Sequence, residues 1–190
     1  VQWLIDAVPS TCLLLLDEAY IEFAPEGMEP PIDCSRKNLL RFRTFSKAYG
    51  MAGIRVGYCI GHPEVISAFD KIRNHFGISR ISQAGAIAAI HDQSWVAQVK
   101  SEVIKSRARI RDIARDNGFT PLPSATNFMT IDCGRDGAFA KAIVDGLLQH
   151  GIFIRMPGVA PLNRCIRVSC GTKKDLDLVA EALPGVLQNL

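Results

Sequence analysis

Short unbroken apolar runs alternate with amphipathic stretches along this chain. Leu13-Leu14-Leu15-Leu16, preceded by Cys12, ends abruptly in Asp17-Glu18. Such a run reads as a strand buried on both faces, as in a parallel α/β sheet. Residues 38–45 and 55–60 give two more strands, and residues 1–10 read as a helix tail that enters the strand at 12–16. Between the first two strands, Pro25 to Lys37 is polar and proline-rich, which predicts a surface connection. Pro63 opens a helix with Val65, Ile66 and Phe69 on one face. Ser79 or Ser82 can cap the next helix, a small-residue stretch over Ala84–Ile90.

The longest helical pattern runs from Ser94, its expected cap, to Asn117, and Gly118 ends it. Val96, Val99, Val103 and Ile110 share one face, whereas Lys105, Arg107, Arg109 and Arg111 spread around the helix and predict a solvated surface. Beyond it come a strand at Asn127–Asp132, a helix marked by Phe139, Ile143, Leu147 and Leu148, and strands at 152–155 and 165–170. Thr172 to Asp175 has the capping-box pattern of a last helix. That helix has Leu176, Val179, Leu183 and Leu187 on its apolar face and an expected kink at Pro184.

Composition narrows the function classes. The 190 residues are 48% hydrophobic and 22% charged, enough for a packed core. A net charge of +3 is too small and too dispersed to predict a nucleic-acid partner. No apolar run approaches the ~18 residues of a membrane span. The six cysteines include no Cys-x-x-Cys pair, so free thiols in a cytoplasmic protein are expected, with no metal site. The start lacks the basic segment of a signal peptide.

Chemistry concentrates in Thr44-Phe45-Ser46-Lys47-Ala48-Tyr49-Gly50-Met51-Ala52-Gly53-Ile54-Arg55. A serine hydroxyl, an arginine fork and permissive glycines suit a phosphate. Lys47 is one more phosphate ligand or an amine aimed at a carbonyl. Asp17 sits thirty residues upstream at the end of its own strand, and ligands of parallel α/β sheets gather at the carboxyl ends of strands.

Asp17-Glu18-Ala19-Tyr20, then Ser46-Lys47-Ala48-Tyr49-Gly50 and Gly53-Ile54-Arg55-Val56-Gly57-Tyr58, resembles the fold type I pyridoxal-phosphate aminotransferases. The wording is most similar to the histidinol-phosphate branch, and the resemblance runs from Leu13 to the C-terminus. It implies pyridoxal 5'-phosphate as cofactor, with Lys47 forming the imine and shuttling a proton. Asp17 would pair with the ring nitrogen and Tyr20 with the ring oxygen. Ser46 and Arg55 would hold the phosphate. For the substrate it implies Arg167, within Cys165-Ile166-Arg167-Val168-Ser169-Cys170-Gly171, as the grip on a carboxylate or phosphate. Arg155 and Asn127 are further substrate-binding candidates.

The implied fold is the C-terminal part of a large α/β domain over residues 1–93, a connecting helix over 94–117 and a small α+β domain over 118–190. The implied activity is amino transfer between histidinol phosphate or an aromatic amino acid and a 2-oxo acid such as 2-oxoglutarate. The complete enzyme would be a cytoplasmic homodimer of amino-acid biosynthesis, histidine biosynthesis in particular. A threonine-phosphate decarboxylase-like enzyme and a non-catalytic aminotransferase-like binding or dimerisation module are the alternatives. The family's ring-stacking aromatic and glycine-containing phosphate loop would lie upstream of Val1, so the chain alone is expected to lack turnover.

Overall fold

β2 (Leu39–Thr44) lies at the centre of the first sheet because both of its edges are paired. β1 (Leu14–Asp17) runs parallel to it, with Leu14 opposite Leu39 and Asp17 opposite Phe42. β3 (Gly57–Gly61) returns antiparallel, with Thr44 opposite Gly57. Parallel pairing brings the chain out of β1 and β2 at the same end of the sheet, which sets up the site described below. The computed structural model describes residues 1–190, which form two compact units, Val1–Lys100 and Ser101–Leu190.

β1 departs from the strand expected to be buried on both faces. Leu14 and Leu16 are half-buried, whereas Leu13 and Leu15 are 54% and 59% exposed. The strand is outermost in the order β1-β2-β3, and apolar side chains are covered only where neighbours exist. Arg55 also precedes β3 instead of opening it.

Around this sheet, α1 (Gln2–Ala7) buries Ile5, and α2 (Pro63–Ser67) starts on His62, whose Nδ1 accepts from Glu64 N at 3.2 Å. α3 (Arg80–His91) is capped by Ser79, as the sequence suggested, through a 3.0 Å bond from Ser82 N. The long helix α4 (Gln93–Asp116) has a different cap from the one expected. Asp92 Oδ1 accepts from Trp95 N at 3.0 Å and from the Ser94 hydroxyl at 2.8 Å, so the carboxylate displaces the weaker hydroxyl. Gly118, at φ +76°, supplies the left-handed turn that ends it.

The second unit is an antiparallel sheet with helices on one face. β4 (Thr120–Pro121), β5 (Phe128–Asp132) and β6 (Cys165–Ser169) pair in that order. Alternation sends Met129, Ile131, Ile166 and Val168 into one core with Ile110, Ile113 and Ala114 of α4. α5 (Gly137–Gln149) adds Ala140, Ile143 and Leu147, and α6 (Lys173–Gln188) adds Leu176, Val179 and Leu183. A Cβ on Gly146 would come within 2.5 Å of Val186 Cγ1, so the α5–α6 packing requires glycine there. The Thr172–Asp175 capping box is present, and α6 continues through Pro184. The strand expected at 152–155 reduces to a single bridge, Arg155 opposite Arg167, and the short β4 was not anticipated.

Candidate active site

Asp17 closes β1, and its Oδ1 accepts from Ala19 N at 2.9 Å. That bond turns the chain sharply, as short acidic side chains do. A 2.8 Å bond from Glu18 N to Phe42 O extends the β1–β2 ladder one step past the strand. Tyr20 follows at the head of a short 3-10 turn, Ile21–Phe23, whose Phe23 is buried.

β2 delivers Ser46 and Lys47 to the same edge. Phe45 and Ala48 on either side are 5% and 1% exposed, so the segment is pinned by two buried neighbours while Ser46 and Lys47 stay half-buried. Phe45 packs on Tyr49 and Tyr58 with ring centroids 4.8 and 5.8 Å apart. Backbone bonds from Phe45 N to Val56 O (3.1 Å), Met51 N to Phe45 O (2.9 Å) and Gly50 N to Lys47 O (3.0 Å) close the loop. Lys47 Nζ ends 5.2 Å from the centroid of the Tyr20 ring. An amine and a phenol that are remote in sequence thereby meet beside the strand that ends in Asp17.

Arg55 occupies the left-handed region at φ 54°, uncommon for a side chain of its size. Its Nη1 donates to Ala52 O at 2.7 Å, and the side chain is otherwise exposed. The Ser82 hydroxyl, on the first turn of α3, donates to Ile54 O at 2.9 Å and braces this strained turn from behind. Ser82 carried no such role in the sequence reading, and its local pattern is only that of a helix start. Amine, phenol, carboxylate, hydroxyl and guanidinium therefore occur on adjoining elements of the first unit.

Sequence reasoning missed the charged cluster beneath these residues. Arg41 sits in the middle of β2 at 1% exposure, with Glu18 buried against it at 5%. Arg41 Nε donates to Glu18 Oε1 at 2.9 Å, and Nη2 lies 2.7 Å from the same oxygen as an ion-pair contact without hydrogen-bond geometry. Arg43 Nε donates to Glu18 Oε2 at 2.9 Å and its Nη2 pairs with Glu29. Burial alone would lower the Arg43 pKa, but the hydrogen bonds to Glu29 and Glu18 outweigh it and hold the pKa above its usual value. Arg41 Nη1 also donates to Pro30 O and Pro31 O, at 3.0 and 2.9 Å. The Pro25–Lys37 segment is mostly exposed, as expected of a surface connection, and is in addition fastened to β2 at Glu29–Pro31. Burial pushes the nearby Glu22 carboxyl up, against its own backbone hydrogen bond and the Arg43 charge.

Glu18→Ala is expected to destabilise the protein by roughly 3–5 kcal/mol, because it strands a buried guanidinium without its carboxylate. Denaturant unfolding measures this, and a loss below about 1 kcal/mol would mean that Arg41 finds water or another acceptor.

In the second unit, Thr130 lies opposite Arg167 on one side, and Arg155 lies opposite it on the other. Arg155 N donates to Arg167 O at 3.1 Å and Arg167 N to Arg155 O at 2.6 Å. Residues paired in this way project to the same face, here the face away from the apolar core. Two like charges directly opposite each other are unfavourable unless an anion or a π-face offsets them. Arg167 stands over the Phe128 ring at 4.7 Å and Arg155 over Phe153 at 6.0 Å. Asn127, just before β5, is half-buried, and its carbonyl accepts from Cys170 N at 2.8 Å.

The first unit's fold is that of the pyridoxal-phosphate-dependent aminotransferases, and the match extends through the second. Histidinol-phosphate aminotransferase from Sinorhizobium meliloti, solved in complex with pyridoxal-5'-phosphate, superposes with a TM-score of 0.94 at 56% identity, covering 97% of this chain and 51% of that one. The chain belongs to the class I and II aminotransferases, whose family model matches residues 1–183. An aromatic amino acid aminotransferase from Mycobacterium avium is 35% identical over 176 residues, 87% of this chain and 50% of the relative. L-threonine-O-3-phosphate decarboxylase from Porphyromonas gingivalis, at 21% identity and a TM-score of 0.81, covers 98% of this chain and 58% of that one and shares the fold. The chain spans about half the length of the relatives it matches. No helix is long and apolar enough to cross a membrane.

Proposed function

We propose that this chain carries the cofactor lysine and the substrate-anion grip of a pyridoxal-phosphate-dependent aminotransferase. The observation that carries the reading is the approach of Lys47 Nζ to the Tyr20 ring, 5.2 Å from its centroid, beside the strand end of Asp17. The donor set fits the cofactor group by group. An aldehyde calls for an amine, a pyridine nitrogen for a carboxylate and a phosphate for a hydroxyl and a guanidinium. When bound, pyridoxal phosphate supplies a ring that accepts electrons from the substrate carbon.

Lys47 would hold the cofactor through its amine and could move a proton at Nζ. Asp17 would favour a protonated ring nitrogen, and Tyr20 would offer its hydroxyl to the ring oxygen. Ser46 and Arg55 would hold the phosphate. Arg167 and Arg155, projecting from opposed positions, grip the substrate anion with two planar forks, and Asn127 lies close by in sequence to Phe128 beneath Arg167. A doubly charged phosphate suits two forks better than one carboxylate does. Together with the 56% identical relative, this favours histidinol phosphate over an aromatic amino acid as amino donor, with 2-oxoglutarate as acceptor. Nothing observed favours the decarboxylase alternative, since that likeness is one of fold.

Further support bears on assembly and location. Ile72, Phe76, Ile81 and Ile87 are exposed around the start of α3, an apolar surface suited to a second copy in a homodimer. Six unpaired cysteines agree with a cytoplasmic setting. The deciding experiment is borohydride reduction of the cofactor-loaded protein followed by peptide mapping. The pyridoxyl group should be fixed on the peptide carrying Lys47, and recovery on Lys37 or Lys71 would overturn the assignment.

A further inference from the structure

Arg107 stands apart from the other cations of α4. Lys105 pairs with Glu102 at 2.8 Å and Arg109 with Asp177 at 3.3 Å, both as exposed ion pairs of the solvated kind expected for this helix. Arg107 is half-buried, and its Nη1 donates to two backbone carbonyls, Ser124 O at 3.0 Å and Thr126 O at 3.4 Å. It therefore fastens α4 to the turn that presents Asn127.

That turn is also tied from within. The Ser124 and Thr126 hydroxyls donate to Phe128 O at 2.6 and 3.1 Å, and Phe128 N donates to Thr126 Oγ1 at 3.3 Å. Asn127 O accepts from Cys170 N at 2.8 Å, which joins the turn to the residue following β6. Burial pushes the Cys170 thiol up, and Ser106 and then, more weakly, the Arg107 charge pull it part of the way back. The Phe128 ring in turn lies under the Arg167 guanidinium at 4.7 Å. A continuous series of contacts thus runs from Arg107 through the 124–128 turn to Arg167.

We propose that Arg107 is a positioning residue for anion binding, holding the Ser124–Phe128 turn so that Asn127 and Arg167 meet a substrate carboxylate or phosphate. The inference rests on the reading of Arg167 as the anion grip. Both bonds leave one nitrogen, Nη1, at the far end of a rigid planar group, and a lysine ammonium, on a side chain one bond shorter and freely rotating, is a poorer replacement. Because both partners are neutral carbonyls, the bond leaves the positive charge of Arg107 uncancelled beside the turn.

The test is calorimetric titration of the cofactor-loaded protein with glutarate and, separately, with inorganic phosphate, neither of which can react. Arg107→Met should weaken binding about tenfold, since small misplacements of a binding group carry costs of that order. Arg167→Ala should weaken it at least as much, and the double variant should bind within about twofold of Arg167→Ala alone, because both act through one contact. Losses confined to one titrant would assign the site to that class of anion and support the inference. Additive losses, or unchanged binding in Arg107→Met while Arg167→Ala weakens it, would overturn the positioning role and spare the anion grip. Unchanged binding in Arg167→Ala would bring down the grip and the positioning role together. Should Arg107→Met not fold, Arg107→Lys decides: a loss of about threefold with an unchanged melting temperature supports the role, and wild-type binding overturns it.

Discussion

Replacement of Lys47 by alanine should lower turnover of the complete, cofactor-loaded enzyme by at least about ten-thousandfold, or ~5.5 kcal/mol of barrier. In the proposed reaction the same nitrogen holds the cofactor and moves the proton, so no neighbouring group can replace it. The turn around it should survive the change. Its fold depends on the buried Phe45 and Ala48 and on backbone bonds that include the Lys47 carbonyl, none of which uses the ammonium group. Stability within about 1 kcal/mol of wild type would therefore separate lost chemistry from lost structure. An added small primary amine should restore part of the rate, because it can enter the space left by the side chain. Turnover within about a hundredfold of wild type would remove Lys47 from the reaction.

In the complete enzyme, Asp17→Asn should leave cofactor binding nearly intact and cut turnover by about a thousandfold, or ~4 kcal/mol. The amide oxygen of asparagine can still accept from Ala19 N, as Asp17 Oδ1 does at 2.9 Å, so the turn after β1 is retained. What is lost is the negative charge that would keep a ring nitrogen protonated. The single-turnover half-reaction, followed by absorbance, isolates that step. A rate within about tenfold of wild type would return Asp17 to the turn-forming role its local bond already explains.

The expected helices and most of the expected strands are present. Their signals are local: an apolar run, a three- and four-residue spacing, a cap, a glycine with positive φ. The capping box at Thr172 and the Gly118 stop were legible for that reason. The Asp92 cap was not, because a carboxylate and a hydroxyl two residues apart compete for the same orphan donors. The 152–155 strand failed because its sole pairing is with Arg167, and pairing of that kind is a long-range event.

By itself the sequence determined which chemistry-bearing residue types were present, and where the motifs that align this chain with aminotransferases lie. It also determined that Asp17 lies at the end of a strand and Lys47 just beyond one, since apolar runs that end in polar residues are a local pattern. Tertiary structure alone decided what these residues meet. Parallel pairing of β1 with β2 brought Tyr20 within 5.2 Å of Lys47, and antiparallel pairing set Arg155 beside Arg167. It also decided that Arg41 and Glu18 would be buried together, and that Arg107 would leave solvent for two loop carbonyls. The physical reason is common to all of these. A charged side chain reads as solvated from its own neighbourhood, and whether it can be buried depends on partners that only the folded chain brings within reach.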